Sequence, residues 1–136
     1  MPAMTMSEFA RLETAALIHR LEKLTEEAAL SPSEHNIHDL RVVIRRLKRC
    51  IGVFSQFYPG KSGKKLRDQL TKLMVKAAAV RDLDIALGLL AEAGVSPRSA
   101  ILARLRATRE KRGGALVRES EPWKKRLHHW NRKLEL

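Results

Sequence analysis

The sequence predicts an all-α protein: an antiparallel four-helix bundle with a short additional C-terminal helix. Two observations carry that expectation. Apolar residues recur at helical spacing between clean breaks, and the β-branched alternation of a half-buried strand occurs nowhere. Glycine and proline are few, 7 and 5 in 136 residues, and they gather at the breaks. Ser31-Pro32-Ser33, Tyr58 to Gly63, Gly94 to Pro97 and Glu121-Pro122 leave helical segments at about 5–29, 34–56, 63–93, 98–119 and 123–134. Short connections between long amphipathic helices favour antiparallel neighbours. One domain, residues 1–136, is expected, long enough for a core without disulfides or metal.

The first segment places Phe9, Leu17, Leu21, Leu24 and Ala28 on one side, which is core spacing. The second contains HDLRVVIRRLKR, residues 38–49, where basic side chains alternate with Leu, Val and Ile. With His38 at zero and about 100° per residue, Arg41, Arg45 and Arg49 fall within about 60° of it, with Lys48 at the border. Leu40, Ile44, Leu47, Ile51 and Phe54 gather opposite, and Arg46 and Asp39 share a flank. Cys50, the sole cysteine, falls on the apolar side and reads as a plain buried residue. A lone cysteine also excludes a disulfide framework.

In the third segment Lys65, Lys72 and Lys76 share one line with Gln69, while Leu66, Leu70, Leu73 and Ala77 form the packing edge. The stretch AVRDLDIALGLL follows at 79–90, bringing acids into an apolar neighbourhood beside Arg81. Half-buried carboxylates want cationic partners, so Asp82 and Asp84 are expected to orient arginines. A catalytic acid/base pair is disfavoured, because acids two apart on a helix point about 200° away from each other. Gly94 is placed as the residue after the helix C-cap, and Pro97 as a first-turn proline of the next segment. In that fourth segment Arg109 sits amid Leu102, Leu105 and Leu116, with Arg112 at the border. A core-facing arginine needs an anion, either Asp82 or Asp84 or a bound polyanion. The last segment carries Trp123, Leu127, Trp130 and Leu134 at spacing that suits a core or a dimer surface.

Charge is the strongest global clue. The 27 Lys+Arg against 15 Asp+Glu give a formal +12 at pH 7. Such a surplus implies a polyanionic partner: nucleic acid, an anionic membrane surface or a phosphate polymer. A merely well-solvated basic face is the plain alternative. An ordinary solvated face, however, mixes signs for pairing one turn apart, whereas the His38–Arg41–Arg45–Arg49 stripe holds no acid. No apolar run approaches the roughly 18 residues that span a bilayer, and the N-terminus lacks the apolar stretch of a signal peptide. A cytoplasmic protein is therefore expected. Gly60-Lys61-Ser62-Gly63-Lys64 fails the spacing of a phosphate loop and reads as a mobile basic turn. The histidines His19, His35, His38, His128 and His129 form no metal-ligand pattern, and no metal or cofactor is expected.

With HDLRVVIRRLKR and AVRDLDIALGLL in hand, the chain resembles the CHAD family, helical domains named for their histidine. The family pattern resembles HxxRVxxRRLR, then a basic helix ending in a VRDxDV-like segment, then an arginine-bearing helix. It lands on His38, Arg41, Arg45, Arg46 and Lys48, then on Arg81, Asp82 and Asp84, over about residues 33–130. Arg109 and Arg112 are similar to the later arginines. The resemblance implies a helical bundle that binds inorganic polyphosphate along a basic channel without catalysis. Added to the residue-level reading, it gives a binding set of His38, Arg41, Arg45, Arg46, Lys48, Arg49, Lys65, Lys72, Lys76, Arg81, Arg109 and Arg112. Family members commonly carry two such units around a pseudo-twofold axis, whereas this sequence supplies one, so a homodimer is expected. A nucleic-acid binder using the phosphate backbone is the competing reading. It is weakened by an aromatic content of only 4%, too little for base stacking. A phosphoanhydride enzyme would need a metal-binding acid cluster that the sequence lacks.

Overall fold

Side-chain caps decide where three of the described α-helices begin. In the computed structural model, which describes residues 3–136, Thr5 and Glu8 form a reciprocal capping box and open α1 (Met6–Leu30). Ser33 accepts from the Asn36 amide and opens α2 (Glu34–Phe54), which ends in a single 3-10 turn, Ser55–Phe57. The long α3 (Ser62–Glu92) follows, then α4 (Ala100–Ser120) and α5 (Trp123–Lys133). The described residues hold no strand. Gly94 takes the position after the α3 C-cap at φ +77°, and Val95 N–H reaches back to the Leu90 carbonyl at 3.1 Å. Pro97 does not lie in the first turn of α4 as expected. Ser99 caps that helix by accepting from the Leu102 amide, which leaves Pro97 in the connecting turn.

The core is drawn from every helix. Ile18, Leu21, Leu24 and Ala28 of α1 meet Ile37, Leu40, Val43, Ile44, Leu47 and Ile51 of α2. The expected α3 edge, Leu66, Leu70, Leu73 and Ala77, is fully buried with Val80, against Leu116 of α4. Burying each such Leu, Ile or Val is worth about 1.5–3 kcal/mol relative to exposure. Trp123, Leu127, Trp130 and Leu134 belong to the same core. Trp130 also donates its indole N–H to Gln69 Oε1 at 2.8 Å, which fastens α5 to α3. Phe9 departs from the expected core and is 44% exposed. The inward line of α1 runs through Ala10, Thr14 and Ile18 instead, because Tyr58 fills that end of the bundle. Its hydroxyl bonds the Thr14 hydroxyl and donates to the Ala10 carbonyl at 3.1 Å, a contact that the small Ala10 permits.

The basic turn expected at Gly60 to Lys64 is largely helix. Gly60, at φ +51°, and Lys61 turn the chain, while Ser62 and Gly63 are the buried first residues of α3. A Cβ on Gly63 would stand 3.1 Å from Ile51 Cγ2, so only glycine allows α2 and α3 this approach without displacement.

At the other end, one arginine ties three segments together. Arg109 Nε donates to Asp84 Oδ1 at 2.9 Å, and its terminal nitrogen donates to the Pro32 carbonyl at 2.7 Å. The Asp84 side chain is only 9% exposed and the Arg109 side chain 23%. Arg112 adds a bond to the Ala79 carbonyl at 3.1 Å. Truncating Arg109 would leave a nearly buried carboxylate and the Pro32 carbonyl unpaired. Arg109→Ala is therefore expected to lose about 2–4 kcal/mol in urea unfolding. Asp84→Asn in the Arg109→Ala background should return part of that loss, since it removes the uncompensated charge.

Candidate functional site

The packed face of α2 determines where its charge goes. With Leu40, Ile44, Leu47 and Ile51 turned into the core, Arg45, Lys48, Arg49 and Gly52 stand along the opposite lip. Arg67 and Met74 of α3 face them, and together these side chains and Val53 line an open cavity of about 580 Å³. Arg67 also lies alongside Gly52, where a Cβ would meet its guanidinium carbon at 3.8 Å. Arg41 and Arg81 belong to the same cationic field, toward the start of α2.

Arg41 shows what this crowding costs. Its Nε is buried and has no hydrogen-bond partner. Burial holds its pKa below the usual guanidinium value, and the charges of Arg45 and Arg81 depress it further. Asp82 pulls in the opposite direction but does not cancel the others. Arginine still keeps its charge at neutral pH, so the site stores repulsion that an anion would relieve. Arg81 is paired with Glu34 of α2 at 3.3 Å.

The anticipated residues divide into groups. Arg41, Arg45, Lys48, Arg49 and Arg81 come together around the α2–α3 groove. His38 is exposed near the start of α2, a turn before Arg41. Arg46 stands on the other side of Arg49: it lines a second cavity of about 460 Å³ with Phe9, Leu17, Cys50 and Phe54, which shares Arg49 and Val53 with the first. Lys65, Lys72 and Lys76 do not line the groove. They lie about 140–180° around α3 from Arg67, on the edge where Gln69 meets Trp130. The reason is that the core edge of α3 separates two flanks, and only the flank bearing Arg67, Met74 and Arg81 faces α2. Arg109 and Arg112 are engaged with Asp84 and with backbone carbonyls. Asp84 holds Arg109, while Asp82 is exposed and acts on Arg41 through its charge.

Arg67 was not among the anticipated residues. Its signal was present, since Arg67, Met74 and Arg81 fall within about 40° of one another at helical spacing. Which flank of α3 meets α2 could not be read from that spacing. Cys50 also departs from expectation, being half-buried against the Thr14 hydroxyl at 3.5 Å. Burial pushes its thiol pKa upward. Among the described residues, no group of three or more His, Cys, Asp or Glu side chains is placed to hold a metal ion. None of the helices is long and apolar enough to cross a membrane.

Fold and site together define a helical protein that presents a cationic groove between two of its long helices. The chain belongs to the CHAD domain family, whose model matches residues 15–135. No curated protein and no solved structure matches it significantly.

Gly52 sits at the lip with room for a methyl group, because the Arg67 contact at 3.8 Å is ordinary van der Waals distance. A glycine inside a helix costs about 0.5–1 kcal/mol relative to alanine. Gly52→Ala should therefore raise thermal stability by about that amount, as differential scanning calorimetry would show.

Proposed function

We propose that this chain is a non-catalytic module that binds inorganic polyphosphate in the groove between α2 and α3. The observation that carries the reading is Arg41, a charged, partly desolvated guanidinium with an unpaired Nε beside Arg45 and Arg81. A linear chain of phosphates supplies what that arrangement lacks. It offers closely spaced negative oxygens and accepts charge-assisted hydrogen bonds from successive guanidinium groups, which rise about 5–6 Å per helical turn. In this reading α2 and α3 run antiparallel, so Arg41 and Arg81 stand at one end of the groove and Arg49 and Arg67 toward the other. Arg41, Arg45, Lys48, Arg49, Arg67 and Arg81 contact the ligand. His38 extends the groove. Lys65, Lys72 and Lys76 contribute long-range field, and Arg109 and Arg112 act as structural ties.

Family membership supports the reading, since the CHAD resemblance implies polyphosphate as ligand. The groove lining supports it against nucleic acid, because no aromatic side chain stands among Arg45, Lys48, Arg49, Gly52, Val53, Arg67 and Met74 to stack a base. The proposal extends to setting and assembly: a cytoplasmic protein that associates with polyphosphate granules and works as a homodimer.

Two measurements test this function. The first is charge reversal read by isothermal titration. Each charge-assisted bond is worth about 1.5–3 kcal/mol, so Arg41→Glu with Arg45→Glu should weaken polyphosphate binding by at least about a hundredfold. Arg67→Glu alone should cost about tenfold or more. Lys65→Glu with Lys72→Glu, and separately Arg46→Glu, should change affinity far less while the salt dependence becomes shallower. Equal losses from the two flanks of α3 would overturn the groove assignment. The second measurement is competition at fixed moderate salt. Long-chain polyphosphate should displace duplex DNA at equal phosphate concentration, and the reverse ranking would move the function to nucleic-acid binding.

A further inference from the structure

The α2–α3 groove has two unlike ends. Contacts fix their levels: Gly52 lies alongside Arg67, and Glu34 is paired with Arg81 at 3.3 Å. Every charged residue from Arg41 through Arg67 is basic. The Gly52–Arg67 end therefore carries only positive charge along the chain, and Lys61 and Lys64 stand exposed where α3 begins. The Glu34–Arg81 end is the reverse. No Lys or Arg occurs from Leu24 to Leu40, and α3 has none beyond Arg81, the next base in the sequence being Arg98. Arg109 and Arg112 of α4 meet α3 near this level, but they are engaged with Asp84 and with the Pro32 and Ala79 carbonyls.

Acids stand where the cations stop. Glu34 falls within about 20° of Arg41 around α2 and about 10 Å before it along the axis. It thus lies on the line of Arg41 and Arg45, with the exposed His38 between. Its side chain is 69% exposed, so its charge remains in solvent at that end of the groove although Arg81 is its partner. Asp82, also exposed, follows Arg81 on α3, and its charge reaches Arg41. A phosphate placed beyond His38 would meet these two carboxylates and no further Lys or Arg of α2 or α3. Just inside that boundary the positive charge is crowded: Arg45 and Arg81 both act on Arg41, whose Nε is unpaired.

A linear polyphosphate matches that profile only at its terminus. The terminal phosphate has two ionisable oxygens where each internal phosphate has one, and the second titrates at about pH 6 in a phosphate monoester. It also has no neighbour on its far side to be driven against the carboxylates. We infer that the groove takes the end of a polyphosphate chain and not its middle. The terminal phosphate lies at Arg41 and Arg81, Glu34 and Asp82 stop the chain there, and the following phosphates leave past Arg49 and Arg67. This rests on the polyphosphate reading and adds which part of the polymer is recognised. The groove spans only about 12 Å from Arg41 to Arg49, so most of a long chain stays outside it.

Counting protein per polymer tests the inference. Sedimentation velocity on size-fractionated linear polyphosphate, at fixed moderate salt, should show a constant amount of protein per polymer molecule at saturation as the chain is lengthened. An amount that rises in proportion to length would overturn end recognition while leaving polyphosphate as the ligand. A second arm blocks the ends. Converting both terminal phosphates to phosphoramidates with a small amine removes their extra charge and leaves the internal phosphates intact. Affinity by isothermal titration should then fall by about tenfold or more, since a charge-assisted contact is lost. Equal affinity for blocked and free chains would overturn the proposal. Glu34→Lys with Asp82→Asn should open the closed end. Both side chains are exposed, so circular dichroism should stay helical. This variant should bind blocked and free chains with nearly the same affinity, and its amount per polymer should climb with length. A variant that discriminates as the wild-type chain does would overturn the two acids as the stop. If the wild-type chain binds neither blocked nor free polyphosphate, the polyphosphate function itself fails, and end recognition with it.

Discussion

Like charges held close together are the constraint around which the rest of the structure is arranged. Arg41, Arg45 and Arg81 share a field in which burial and mutual repulsion both act against the charged state of Arg41. Such an arrangement persists only if the backbone beneath it is fixed by something stronger. The aliphatic row of α2, from Ile37 through Leu40, Ile44 and Leu47 to Ile51, supplies that strength by complete burial. The cationic stripe is the solvent side of the same helix. Its pattern therefore cannot rotate without bringing guanidinium groups into the core or leucines into water.

The remaining helices hold the stripe in register. Gly63 lets α3 approach Ile51 closely, which sets Arg67 against the lip of α2. At the opposite end Arg109 draws α4, Asp84 of α3 and the Pro32 carbonyl into one cluster. The two kinds of arginine show different uses of one side chain. Arg109 is satisfied by protein oxygens, so its planar fork acts as a brace. Arg41 is left with an unpaired Nε and like-charged neighbours, so its free energy falls when an anion arrives. That difference separates a satisfied arginine from an unsatisfied one more sharply than position in a sequence motif does.

The sequence by itself determined the helices, their approximate limits and the side of α2 that carries the charge. Each is a local property. Helical spacing, a Ser or Thr before a helix and a glycine after one act over a single turn, so they survive without knowledge of neighbours. The core edge of α3 and the tryptophan line of α5 were legible for the same reason. What only the tertiary structure decided was which flank of each helix meets which partner. The periodicity of α3 displays two basic flanks, Lys65–Lys72–Lys76 and Arg67–Arg81, as equals. The packing of α2 on one side and Trp130 on the other selects Arg67 for the groove. Phe9 was misplaced for a related reason. Tyr58, 49 residues away in the chain, bonds Thr14 and Ala10 and rotates α1 so that small residues face inward. Arg109 likewise had Asp82, Asp84 or a bound polyanion open to it, and only the meeting of α3, α4 and the Pro32 turn resolved the choice toward Asp84. Contacts between distant segments depend on the rotation and level of whole helices, and no local spacing encodes those.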